Sequence, residues 1–158
     1  MKRELIIFDT ETNGMRNCSV LSIACIKLLY DFEKDTLEKI GDYYRFYFRE
    51  PKESPNQGAL NVNGLYDYVI EEKRKNVTYP VHFSKDIESL KEFVGECKHF
   101  VAHNISFDRN FIPFRLKYQF CSMNENIEIL KIPKDKAKLI HERIEVFINM
   151  YLDKIFIW

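Results

Sequence analysis

The residues most able to do chemistry sit near the start of the chain, in Phe8-Asp9-Thr10-Glu11-Thr12-Asn13-Gly14. Asp9 and Glu11 close an apolar, strand-like run, and a period of two puts both carboxylates on one face. Two like charges that close repel each other, and a divalent cation between them relieves that repulsion. Thr12-Asn13-Gly14 predicts a turn that aims backbone groups at whatever lies above the pair. The plainer reading is two solvated acids at a strand end. A second group lies in Val101-Ala102-His103-Asn104-Ile105-Ser106-Phe107-Asp108, where a short strand runs into a helix. Asp108 falls in the first turns of that helix, where a carboxylate also has an ordinary charge–dipole reason to be. His103 reads equally as a core histidine.

These residues need a scaffold. Three apolar, β-rich runs at 4–10, 20–30 and 40–48 predict an antiparallel meander. In the third, Tyr43, Phe46 and Phe48 interleave with Tyr44, Arg45 and Tyr47. Glu50-Pro51-Lys52-Glu53-Ser54-Pro55 predicts a loop, after which the pattern turns helical. Residues 60–73 read as one or two short helices split at Asn63-Gly64. Ser84 is the expected N-cap of a helix carrying Ile87, Leu90, Phe93 and Val94. A strand at 100–102 precedes a helix with Phe107, Phe111 and Phe114 on one stripe. The order predicts an α/β fold: a mixed sheet, three antiparallel strands plus further ones, flanked by helices. Residues 135–152 have helical periodicity. The basic cluster Lys131, Lys134, Lys136 and Lys138 reads as a solvated face or as phosphate contacts.

The 158 residues suit one domain, and 46% hydrophobic with 15% aromatic content excludes wholesale disorder. Twenty-four basic residues balance 24 acidic ones, so no bulk positive field points to tight nucleic-acid binding. An acidic, cation-gathering site remains compatible with that balance. The apolar run before Asp9 is too short for a signal peptide, and no stretch reaches membrane-spanning length. The cysteines, Cys18, Cys25, Cys97 and Cys121, form no C-x-x-C pair. Reduced thiols in a cytoplasmic protein with no membrane partner are expected.

Together, the strand-end D-x-E and the later H-N-x-x-F-D resemble the first two motifs of the DEDD 3′–5′ exonuclease superfamily. The proofreading subunit of bacterial DNA polymerase III is the familiar DnaQ-like member. Ala59-Leu60-Asn61-Val62-Asn63-Gly64-Leu65 is similar to the family segment that ends in His-Gly-Ile and lies against the terminal nucleotide. The resemblance covers 4 to about 123. It implies a ribonuclease H-like fold, two Mg²⁺ or Mn²⁺ ions and hydrolysis of phosphodiesters at the 3′ end of a single strand. By the same resemblance, Asp9, Glu11 and Asp108 are catalytic metal ligands. Thr10, Thr12, Leu65 and Asn104 are candidates for substrate contact. A polymerase subunit is an implied partner.

The chain departs from the family at two places. The third motif, H-x-x-x-x-D, supplies the general base and a fourth carboxylate, and it has no separate match here. His103 and Asp108 have that spacing but already serve the second motif. His141 with Glu145 is the substitute candidate. Four residues apart on a helix, they share a face, about 40° apart, where the family pair is about 140° apart. Asp153 is a further candidate. The competing reading makes His141, Glu142, Arg143 and Glu145 a solvated helix face. The missing motif predicts weak or absent turnover. It also leaves open a truncated or degenerate, non-catalytic module that binds nucleic acid or a polymerase. The second departure is Asn63, which stands where the family usually has His.

Overall fold

The computed structural model describes residues 2–124, and they form a five-stranded mixed sheet with helices against it. Packing divides the chain into Met1–Phe120 and Cys121–Trp158, and the architecture below is that of the first unit. The readings placed on Lys131 to Lys138, His141, Glu145 and Asp153 lie outside the described residues.

Three long strands, β1 (Lys2–Thr12), β2 (Val20–Asp31) and β3 (Thr36–Phe46), make the expected antiparallel meander. Strand β4 (His99–Ala102) pairs parallel to β1, with Ile6 opposite Phe100 and Ile7 opposite Val101. Strand β5 (Tyr118–Cys121) completes the order β3-β2-β1-β4-β5. A parallel neighbour for β1 requires a crossover, and the helical segments between β3 and β4 supply it. The α/β mixed sheet flanked by helices is thus the architecture that the sequence predicts.

Alternation along β1 decides which side chains reach solvent. Ile6, Phe8, Thr10 and Thr12 are buried, and Asp9 and Glu11 point to the opposite face, Asp9 exposed and Glu11 half-buried. The buried face meets α3 (Ile87–Val94) in an apolar core of Ile6, Phe8, Cys25, Leu90, Val94 and Phe100. Burial pushes the Cys25 thiol far up, and the neighbouring charge of Asp9 adds to it, so this cysteine stays a neutral packing residue. A bulge follows Glu11: Glu11 lies opposite Ser22 but Thr12 lies opposite Val20. The extra residue, Leu21, is fully buried in a second cluster with Phe46, Leu60, Leu65 and Ile70. A bulge at this point re-aims the strand end and anchors it to the helices that follow.

Those helices are α1 (Gln57–Asn63) and α2 (Asp67–Lys73). The Asn56 side chain caps α1 by accepting from the Ala59 N–H at 3.2 Å. Gly64 ends it in the left-handed region at φ 70°, a conformation that costs a side-chain-bearing residue about 1 kcal/mol.

Two helical expectations changed. Ser84 does not cap α3. It lies in a 3₁₀ turn (Phe83–Lys85), where its hydroxyl donates to Glu50 Oε1 at 2.6 Å. The helix starts after Asp86, whose carboxylate bonds to β3 instead of capping it. The helix after β4, α4, spans only Ile105–Asp108. Pro113 disfavours helical backbone just before it. Phe107 still packs on Phe111 at 5.0 Å between ring centroids, but Phe114 turns to Phe100.

Candidate active site

The end of β1 projects past the end of β4. Ile7 is opposite Val101 and β4 stops at Ala102, so the Thr10 N–H has no strand partner on that side. Asp108 fills the gap. Its Oδ1 accepts from the Thr10 N–H at 3.0 Å and from the Thr10 hydroxyl at 2.7 Å. A buried backbone donor is thereby satisfied by the first residues after the strand–helix junction. The Asn104 backbone carbonyl starts that turn, accepting from Phe107 and Asp108 at 2.8 and 3.3 Å, while its side chain is exposed. Asp108 is only 3% exposed. Burial raises its pKa above the ordinary 3.8, and the two bonds from Thr10 oppose that rise.

Asp108 is therefore locked to the residue that lies between Asp9 and Glu11. The structure does not, however, gather the carboxylates into one cage: among the described residues, no three His, Cys, Asp or Glu side chains are placed to share an ion. Asp9 and Glu11 share the solvent-facing side of the strand, while Thr10, which holds Asp108, is on the buried side. The field of this acidic pair reaches along the sheet. Asp9 lies opposite Ala24 and Ala24 opposite Tyr44. Burial, Tyr79 and then the charges of Glu11 and Asp9 push the Tyr44 hydroxyl up to about 12.

The other expected site residues are placed as follows. Thr12 is buried, and its hydroxyl donates to the Gly14 carbonyl at 2.5 Å. Leu65 is buried in the cluster with Leu21. Thr10 spends its hydroxyl on Asp108. His141 is outside the described residues.

Three residues that sequence reasoning did not assign to the site organise it. Asn13 donates to Glu53 Oε1 at 2.5 Å and to the Ser54 carbonyl at 2.9 Å, and it accepts from the Asn56 N–H at 2.9 Å. Glu53 in turn accepts from the Ser19 N–H at 2.8 Å. Asn63 donates to the Thr12 carbonyl at 3.0 Å and accepts from the Leu65 N–H at 3.0 Å. The loop and α1 are thus tied at both ends to the turn that follows the acidic pair. Only the density of Asn, Ser and Glu around 13–19 and 53–63 hints at this, because partners so far apart in sequence leave no periodic signal. Asn63→Ala removes two part-buried hydrogen bonds at about 1 kcal/mol each. A fall in Tm of roughly 4–8 °C is expected in thermal denaturation.

This fold is similar to that of solved nucleases. One is Exonuclease X in complex with 5′ overhanging duplex DNA, at TM-score 0.54 and 18% identity, over 79% of this chain and 63% of that one. The fold is that of an exonuclease. It is the ribonuclease H-like arrangement that the two acidic motifs imply. A full-length 3′-exonuclease matches at TM-score 0.50 and 14% identity, over 86% of this chain and 49% of its own. The chain therefore spans less than two thirds of the length of either neighbour. No family model matches the sequence, and no curated protein matches it. Among the described residues, no helix is long and apolar enough to cross a membrane.

Proposed function

We propose that the chain is a metal-dependent 3′–5′ exonuclease acting on the 3′ end of single-stranded nucleic acid, in the DnaQ-like branch of the DEDD superfamily. The observation that carries this reading is the placement of Asp9 and Glu11 on one face of a strand end, with Asp108 bonded to the residue between them. The donor set fits a hard cation, since Mg²⁺ and Mn²⁺ take oxygen ligands and Mg²⁺ commonly uses one or two carboxylates plus substrate phosphate. Asp9 and Glu11 would hold it together with substrate phosphate, and Asp108, bonded to Thr10 on the other side of the strand, would position them. When bound, the ion lowers the pKa of water and offsets charge on the phosphate. Thr10 fixes one oxygen of Asp108, the bulge after Glu11 sets the direction of the strand end, and Asn13 and Asn63 hold the substrate-side helix against it. His141 is the proposed general base. Docking on a polymerase subunit and a cytoplasmic setting belong to the same reading. Free thiols at Cys18, Cys25 and Cys97 support the latter.

One observation favours a second reading. No separate H-x-x-x-x-D supplies a base and fourth carboxylate, and loss of a positioned base costs on the order of 10²–10⁴ in rate. A non-catalytic, nucleic-acid-binding module on the same fold accounts for that.

One assay separates the two. A 5′-labelled single strand is incubated with Mn²⁺, with and without a chelator, beside the same strand with a blocked 3′ end. A ladder shortening from the 3′ end, lost on chelation and on blocking, is expected of the nuclease. Retained binding with no ladder overturns the catalytic reading in favour of the binding module.

A further inference from the structure

The three most exposed large apolar side chains among the described residues are Val62 at 88%, Met15 at 74% and Tyr68 at 71%. The first two lie in segments joined to the end of β1. Met15 is in the turn after Asn13. Val62 is in α1, which is bonded to that turn through Asn56 and Asn63. Tyr68 opens α2, and its ring stacks on Tyr66 with centroids 5.8 Å apart and planes 12° from parallel.

Tyr66 is not free to swing. Its hydroxyl donates to Asn61 Oδ1 at 2.6 Å and accepts from Gln57 Nε2 at 3.4 Å, so it is fastened along α1. Between the two tyrosines, Asp67 takes a bidentate pair from Arg49 at 2.6 and 2.8 Å, which pins the start of α2. One ring is thus held rigidly from behind, and the ring stacked on it presents its outer side to solvent. Packing does not explain Tyr68, because burial is where an aromatic ring gains its stability.

Resting on the nuclease reading, we propose that Tyr68, backed by Tyr66, is a stacking platform for an unpaired base of the strand entering the site. A flat ring of fixed orientation matches the π-face that every base carries, and such stacking tolerates any sequence. One exposed ring backed by a second fits a nucleobase. A stable protein partner would need roughly 800 Å² on each side.

The test measures binding of a phosphorothioate-linked oligothymidylate of about 12 nucleotides by fluorescence polarisation in Mg²⁺. Its companion is the same oligonucleotide with abasic sugars at its 3′ end. Tyr68→Ala is expected to weaken binding of the first on the order of tenfold, Tyr68→Trp to restore it, and the abasic ligand to bind both proteins alike. Tyr68→Ala binding as tightly as the wild type overturns the platform, as does an equal loss on the abasic ligand. If the wild type still shortens 3′ ends in that case, the platform alone falls. A wild type that neither binds nor cleaves overturns both.

Discussion

Asp108→Asn is expected to abolish 3′ shortening and, in the same protein, to raise Tm in chelator. The Asp108 carboxylate is 3% exposed, so as an anion it forgoes most of its hydration. Its compensation is two hydrogen bonds from Thr10 to Oδ1. An asparagine Oδ1 can accept both, so the substitution removes the buried charge and keeps the bonds. In chelator the wild type keeps a buried anion there that those hydrogen bonds compensate only in part. Relief on the scale of 1 kcal/mol corresponds to a rise of roughly 2–4 °C in a chain of this size. Asp108→Ala reverses the sign. It leaves a buried Thr10 N–H without an acceptor, at about 1–3 kcal/mol. In activity both fall at least about 100-fold, since even residues behind the ligands of a metal site cost 10–100-fold when lost. Asp9→Ala is expected to lose as much activity without the rise in Tm, because Asp9 is exposed and its removal relieves no buried charge. If Asp108→Asn cleaves at the wild-type rate, the placing of Asp108 in the site is wrong.

The pH dependence has a definite sign. Burial raises the Asp108 pKa above its ordinary 3.8, so the folded state holds this proton more tightly than the unfolded one. Stability from Asp108 is then fully present below 3.8 and is lost as pH rises through the raised folded value. Asp108→Asn has no such titration. Its advantage over wild type in Tm is expected to be full at neutral pH and to shrink toward nothing below pH 3.8. A pH-independent difference would show that the charge is not the cause.

Most of the sheet was legible because its signals are local. The alternation in β1 placed Asp9 and Glu11 on one face, and the break at Asn63-Gly64 separated α1 from α2. The long-range bonds were not legible. Nothing in the run around Thr10 announces that its hydroxyl meets a carboxylate 98 residues away. Thr10 read as a substrate contact, and in the fold its N–H and hydroxyl both bond to Asp108. Asn63 read as a departure from His, and it holds α1 to the Thr12 carbonyl. Asp86 shows the same limit from the other side. Its place just before α3 suits a cap, yet tertiary partners claimed the carboxylate, and Ser84, the cap expected from sequence, bonds to Glu50. Local propensity loses wherever a buried charge across the fold needs an acceptor more than a helix end does.

That competition makes Asp86→Ala the substitution with the largest expected effect on stability. Asp86 is 4% exposed. Its Oδ2 takes Arg45 Nη1 at 2.5 Å, the Tyr47 hydroxyl at 2.9 Å and the Tyr43 hydroxyl at 3.3 Å. The Arg45 guanidinium is itself flanked by the rings of Tyr43 and Tyr79, 4.4 and 4.8 Å from their centroids. Alanine at 86 leaves a half-buried cation without its acceptor, and of the two hydroxyls, which lie 3.2 Å apart, only one can donate to the other. Breaking such a pair from one side costs about 3–5 kcal/mol, or a fall in Tm of roughly 6–20 °C. The loss is expected to persist into alkaline pH, because burial first, and then Tyr43 and Asp86, push the Tyr47 hydroxyl far up and keep it a donor. Removing Arg45 as well is expected to cost less than the two single losses added together, since the second substitution takes away the stranded charge. Among the described residues, Asp108 takes its hydrogen bonds from Thr10 and not from these groups. Cleavage measured well below the lowered Tm is therefore expected to stay near the wild-type rate. A loss of rate there, with the fold intact, would mean that β3 and α3 hold the acidic strand end more directly than their hydrogen bonds indicate.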